Sequence, residues 1–311
     1  MGRPAGTLDG VSAPSIARLR QVREKLLAWY DREHRDFPWR GTRDPYAVLV
    51  SEVMLQQTQA SRVAERFGRF MERFPTVASL AAAPGSAVLE AWSGLGYNRR
   101  ALSLRVAAAT VTRDGWPTDI AGLERLPGVG PYTARALASL AFDLPVGVVD
   151  TNVRRWFLRR FGGADAPRVL QELADGLAAA GGDGRSADWT HATMEFGAAV
   201  CRSRAPHCES CPIADGCPSR GQAAIVPVPR QAPMHGSDRG YRGAIVRLLS
   251  SRVGHAMPAR SLRARLSADE PILGPALDDA RWSRIVDALE RDGLIHRIDG
   301  QVRLGAATID A

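Results

Sequence analysis

The sequence predicts an all-α fold that ends in a small winged-helix-like domain, and three observations carry that reading. Apolar residues recur at helical spacing along most of the 311 residues, beginning with Leu19, Val22, Leu26, Leu27 and Tyr30. The stretch Leu126 to Asn152, LPGVGPYTARALASLAFDLPVGVVDTN, reads as helix, hairpin, helix. The clear β signal comes only near the end, where LIHRIDGQVRL offers Asp299-Gly300 as a two-residue turn.

Taken in order, Met1 to Ser15 is rich in Gly, Pro and small residues and is expected to be disordered. A helix follows from Ile16 to Arg32. The segment DFPWRGTRDPY then puts Trp39 and Arg40 in a loop, and Pro45 opens the next helix with Asp44 as its cap. That helix is expected to reach about Gln59. It is apolar on nearly every side and should be buried. Glu52 lies in its middle, where burial disfavours the anion and raises the pKa. The alternative is a structural Glu paired with an Arg. Gln56-Gln57-Thr58-Gln59 is polar, as a DNA-facing segment would be. Helical stretches continue to Leu89, broken at Pro75 and Pro84-Gly85. In AWSGLGYNRRALSLRVAA, Gly94 and Gly96 make a tight loop expected to expose Leu95 and Tyr97. Those two either pack in the core or wedge into a base step. Arg99 and Arg100 either touch phosphates or stay solvated.

Thr118 is the expected cap of a short helix through Ile120, Leu123 and Leu126. Gly128 and Gly130 then flank Val129 and allow a tight turn with exposed N–H groups. Pro131 opens a helix that turns Ala134, Leu137 and Leu140 to one face. A helix N-terminus behind bare glycine amides suits a phosphate, although such turns are also common without one. The apolar run Pro145 to Val149 delivers Asp150 beside Thr151 and Asn152. An Asp there ordinarily caps the following helix; it can also be catalytic.

Net charge is +8, from 41 Lys+Arg against 33 Asp+Glu, which fits nucleic acid and also an anionic membrane surface. No segment approaches the roughly eighteen apolar residues of a membrane span, and no signal peptide is visible. An intracellular, cytoplasmic chain of two domains is expected. All four cysteines, Cys201, Cys208, Cys211 and Cys217, lie together as C-x6-C-x2-C-x5-C. Clustered thiols suggest a metal site rather than disulfides, and both zinc and an iron–sulfur cluster fit four thiolates. Arg202, Arg204 and His207 sit in the same loop. Gly221 to Gly240 reads as a linker. Tyr241 to Ala311 holds three helices and the hairpin, with Arg260, Arg263 and Arg265 either touching DNA or only packing.

LPGVGPYTA followed by VVDTNVRR closely resembles the helix-hairpin-helix DNA glycosylases of the endonuclease III and MutY group. SEVMLQQTQ and GLGY are similar to the adenine-specific MutY branch, and the cysteine spacing after FGAAVC is similar to its 4Fe–4S loop. The resemblance implies two helical subdomains over Ile16 to Arg220, one around the hairpin motif and one joining the N-terminus to the cluster loop. It implies a 4Fe–4S cluster on the four cysteines. Its catalytic set is Glu52, protonating a flipped adenine, and Asp150, stabilising the sugar cation, with Tyr132 and Asn152 shaping the site. By the same match Gln57 enters DNA and Tyr97 packs against the base opposite adenine. Trp39, Arg40, Leu55, Gly128, Gly130, Arg202 and Arg204 complete the DNA-binding set. The expected activity is removal of adenine opposite 8-oxoguanine or guanine, by a nucleoid-associated monomer acting on double-stranded DNA, away from membranes. A thymine–guanine mismatch glycosylase and a non-catalytic iron–sulfur DNA-binding module are the rivals. Tyr132 stands where endonuclease III-type relatives carry a lysine, which implies base release without strand cleavage. The likeness covers about Leu19 to Ser219. The C-terminus departs from it, being too short for the Nudix-like domain of typical MutY proteins, and leaves opposite-base recognition open.

Overall fold

The computed structural model describes residues 14–163, 165–182, 184–221, 233–268 and 277–306. The expected disordered tail therefore lies outside the described residues up to position 13. Ser15 is ordered: its hydroxyl accepts from Arg18 N and caps α1 (Ile16–Glu33). Contacts divide the chain into two compact units.

The first unit comprises the described residues within Met1–Val48, Pro117–Arg125 and Val129–Pro229. It holds α1, the start of α2 (Pro45–Leu55), α7 (Ile120–Glu124) and α8 (Pro131–Leu140). It continues with α9 (Thr151–Phe161), α10 (Pro167–Ala179), α11 (Ser186–Ala199) and the cysteine loop. Its core gathers Leu26, Trp156, Phe157, Leu177 and Phe196, with Trp156 packed edge-on against both phenylalanines. Ile213, from the cysteine loop, is buried in the same cluster. The cap of α7 is Asp119, which accepts from Gly122 N at 2.7 Å, and not Thr118. A carboxylate one residue closer to the first turn meets that amide directly.

The second unit comprises the described residues within Leu49–Trp116, Leu126–Gly128 and Arg230–Ala311. It holds the rest of α2, α3 (Ala60–Arg73), α4 (Val77–Ala82), α5 (Gly85–Trp92) and α6 (Arg99–Asp114). The chain thus changes unit inside the hairpin motif. Gly128, at φ +80°, is pressed on α6 so closely that a Cβ would come within 2.7 Å of the Ser103 Cβ. Only glycine meets both demands.

The C-terminal segment belongs to this second unit rather than standing apart. It begins with α12 (Asp238–Ser250), so the tail of the expected linker is already helical, capped by Ser237; residues 222–232 lie outside the described ones. Then follow β1 (Ala256–Pro258), α13 (Ala259–Ala268), α14 (Asp279–Arg291), β2 (Ile295–Ile298) and β3 (Gln301–Leu304). The strands form an antiparallel sheet in the order β1-β3-β2, with Val302 opposite both Met257 and Arg297. Asp299 and Gly300 both take positive φ, as a two-residue hairpin turn requires. This is the winged-helix-like order expected. Tyr241, Ile245, Leu289 and Val302 are buried, and α12 and β3 pack on α5. Among the described residues no helix is long and apolar enough to cross a membrane.

Candidate functional site

In the second unit, α2 carries Glu52. Asp44 starts the helix by accepting from Tyr46 N at 3.1 Å and Ala47 N at 3.3 Å. Glu52 is only 4% exposed, and Leu49, Val50, Val53 and Met54 of the same helix are buried with it. The helix ends at Leu55, four residues before the expected boundary. Gln57 takes φ +56°, the left-handed region that costs a side-chain-bearing residue about 1 kcal/mol or more. Leu55 is half-buried, while Gln57 is exposed.

The reason for the early stop is Arg100. Its guanidinium donates to Val53 O at 2.8 Å, Met54 O at 3.3 Å and Gln56 O, all carbonyls at the end of α2. The same group donates to Thr58 Oγ1 at 3.3 Å and Gly96 O at 3.0 Å. One half-buried cation thus ties the Gln56–Thr58 turn to the Gly94–Tyr97 loop. Burial pushes its pKa down to about 10, so it stays charged at neutral pH. Sequence reasoning left Arg100 a phosphate ligand or a solvated charge; converging carbonyls from two loops leave no local signal. Leu95 is buried at 4% exposure, against expectation, because the loop folds back with Leu95 N on Trp92 O. Tyr97 alone of the pair is exposed, and it sits at φ +47°.

In the first unit, α8 begins at Gly130 with no side-chain cap and Pro131 in its first turn. Its leading amides lack a capping side chain. Tyr132 Oη lies 3.9 Å from Met194 Sδ. Asp150 is the cap of α9: it accepts from Val153 N at 2.7 Å and from Asn152 Nδ2 at 2.8 Å. Burial among protein atoms pushes its carboxyl up, although part of its surface stays open to solvent. Those hydrogen bonds and the charge of Arg155 pull against that rise. Arg155 also donates to Asn152 Oδ1 and Cys201 O, both at 2.8 Å, linking the Asp150 network to the cysteine loop. Gly197 of α11 lets this happen, since a Cβ there would lie 2.6 Å from Asn152 O.

Trp39 and Arg40 face the protein rather than solvent. Trp39 is buried and stacks on Phe37 at 4.9 Å. Arg40 donates to the buried Glu195 at 2.6 Å, and Arg35 joins the same carboxylate. Burial raises the Glu195 carboxyl, but the two guanidinium groups outweigh it and hold it below the usual range. This pairing gave no sequence signal, because 155 residues separate Arg40 from Glu195. His191, one turn earlier on α11, is pushed down to about 3 by burial and by Arg40 and Arg43, and stays neutral.

The four cysteines are free of disulfides and line one small cavity of about 30 Å³, with Arg159 and Arg160 at its wall. Arg159 reaches Cys201 Sγ at 3.6 Å and Arg202 O at 2.6 Å. Among the described residues no three His, Cys, Asp or Glu are grouped as a single metal ion would need. Arg202 and Arg204 are exposed, Arg202 against the His207 ring.

Three comparisons bear on these sites. The family described as HhH-GPD superfamily base excision DNA repair protein matches residues 50–177. An adenine DNA glycosylase of Mycobacterium tuberculosis (strain H37Rv) is 38% identical over 312 residues, covering 94% of this chain and 96% of that protein. The adenine DNA glycosylase of Mycolicibacterium smegmatis is 38% identical over 290 residues, covering 90% of this chain and 94% of the other. Among solved structures, a thermostable thymine-DNA glycosylase superposes with a TM-score of 0.61 at 30% identity, over 67% of this chain and 100% of its own. The two mycobacterial matches extend well beyond Leu19 to Ser219, so the C-terminal segment is shared with these relatives and is no departure from them.

Proposed function

The chain belongs to the adenine DNA glycosylase family, and from that premise we propose that it removes adenine mispaired with guanine or 8-oxoguanine from double-stranded DNA, in base excision repair. The adenine flips out of the duplex, at about a few kcal/mol. Glu52, as a neutral acid, protonates N7 and makes the base a leaving group. The C1′–N9 bond then breaks with both electrons passing to the base. Asp150, as an anion, stabilises the oxocarbenium-like sugar, and water adds at C1′ to leave an abasic site. Asn152 orients the Asp150 carboxylate through its 2.8 Å hydrogen bond. The observation that carries the reading is the pair of environments: a buried carboxyl on an apolar helix at Glu52, and at Asp150 two N–H donors and the charge of Arg155 that work against the rise burial imposes.

Gln57 and Tyr97 are the residues that enter or face the duplex, and their left-handed backbones support that role. The exposed Arg202 and Arg204 contact phosphates, as do the amides around Gly128 and Gly130. Trp39 and Arg40, being engaged internally, have a structural role in the first unit. The four cysteines share one cavity and would hold a 4Fe–4S cluster through their thiolates. Such a cluster would order the loop that carries Arg202 and Arg204. The chain has one lysine, Lys25, at 3.7 Å from Asp215, and none beside Tyr132, so no side-chain amine is offered for a Schiff base.

Base release from duplexes holding each base pair in turn tests the proposal. Adenine should leave from adenine–guanine and adenine–8-oxoguanine pairs, and thymine should not leave from thymine–guanine. The likeness to the thymine-DNA glycosylase structure favours that second reading, and thymine release would select it.

A further inference from the structure

A cavity of about 820 Å³ lies within the second unit, lined by six arginines and no carboxylate among the described residues. Arg239, Arg242 and Arg247 come from α12, Arg62 from α3, and Arg99 and Arg100 from α6. Gln57, Tyr97 and Gly128 form other parts of the wall. Asp292 offsets part of this charge, pairing with Arg242 and with Arg99 at 3.4 Å, and a cationic excess remains. Positive charge, an aromatic face and this volume together suit a nucleotide, with phosphates on guanidinium groups and a base on the ring.

This nucleotide is not the reacting one. Glu52 does not line the cavity, and a departing adenine must reach that carboxyl. We infer that the cavity takes the nucleotide opposite the adenine, and that Arg239 of the C-terminal helix reads its base. The assignment to the opposite strand rests on the proposed function. Arg239 Nη1 donates to Tyr97 Oη at 3.0 Å, and its guanidinium carbon lies 5.9 Å from the centre of the Tyr97 ring. An arginine held at the rim of a stacking ring meets the edge of the base that stacks there. A guanidinium fork matches the O6 and N7 acceptors of guanine, whereas cytosine presents an amino donor. In 8-oxoguanine O6 still accepts, while N7 carries a hydrogen and donates, so only one arm of the fork is used. The C-terminal segment therefore supplies opposite-base discrimination through one helix.

Equilibrium binding to duplexes with a tetrahydrofuran abasic analogue tests this apart from catalysis. The opposite base is guanine, 2-aminopurine (which lacks O6) or cytosine. The full-length wild type should prefer guanine by about tenfold, and Arg239→Ala should bring the three within about twofold. Arg239→Lys keeps the cation without the fork; it should retain affinity and lose the preference. Thermal melts establish that both variants fold. Equal weakening on all three duplexes would reduce Arg239 to a backbone contact and overturn the inference. So would a preference that survives Arg239→Ala, or a wild type that shows none. Adenine release, assayed in parallel, tests the catalytic reading separately.

Discussion

In the unit that carries the cysteines, arginines turn inward onto carbonyls. Arg155 donates to Cys201 O at 2.8 Å, Arg159 to Arg202 O at 2.6 Å and Arg160 to Gly216 O at 3.0 Å. In the unit that carries Glu52, Arg100 does the same for two loops, but Arg239, Arg242 and Arg247 line a cavity. The cysteine loop has no helix or strand, so turn hydrogen bonds such as His207 N to Val200 O satisfy part of its backbone and these arginines take further carbonyls. In the second unit several arginines come from helices and meet at a concave surface, which favours anions. The same residue type therefore holds a loop together in one unit and lines a cavity in the other.

The carboxylates of the first unit differ in a parallel way, and pH separates them. Glu195 is held below the usual range, so its contribution to stability is present above the unfolded carboxylate pKa and lost as pH falls through its folded value. Asp150 is raised by burial, so its contribution is present below the unfolded pKa and lost as pH rises through its folded value. One is a carboxylate held charged by two guanidinium groups, and the other a helix cap whose anion burial disfavours.

The largest expected effect breaks that contrast directly. Asp150→Asn should lower base release at least about 100-fold while DNA binding persists. Because Asn also caps helices, its melting temperature should equal or exceed that of wild type at neutral pH. A single-turnover assay and melts from pH 4 to about 8 check both parts; a variant that keeps its rate removes Asp150 from the chemistry. Next, Cys208→Ser should lose iron and sulfide on analysis and melt lower by about 5 °C or more, with weakened DNA binding. Stoichiometric zinc without iron in anaerobically purified wild type would replace the cluster reading.

Arg40→Ala leaves Glu195 buried with only the more exposed Arg35, and should cost about 2–4 kcal/mol in denaturant unfolding. Arg100→Lys should cost about 1–3 kcal/mol, since one ammonium cannot span the carbonyls of two loops. Its sharper signature is in substrate binding: KM should rise, with the order of opposite-base preference unchanged. If folding is weakened but KM is not, Arg100 is structural only. The smallest effect is a gain. Wild type should give no strong borohydride-trapped adduct, with strand breaks only after alkali or heat, and Tyr132→Lys should introduce a weak lyase activity. A strong wild-type adduct formed at the rate of base release would require an amine other than the one the hairpin lacks.

Much of this protein was written locally. The helix openings at Pro45 and Pro131, the Asp150 cap and the Asp299-Gly300 turn each depend on neighbours within four residues, and each stands where the sequence places it. The family was legible for the same reason, through short motifs at fixed spacing. Tertiary structure decided what depends on distant partners. The end of α2 moved to Leu55 because Arg100, 44 residues beyond Gln56, collects its last carbonyls. Leu95 turned inward and Arg40 was drawn onto Glu195 by contacts that no spacing rule describes. The C-terminal segment, read from the sequence as a separate domain, joined the Glu52 unit because α12 and β3 found their apolar partners on α5. Short-range hydrogen bonding is encoded where it acts, whereas burial and the pairing of arginines follow from which surfaces the whole chain brings together.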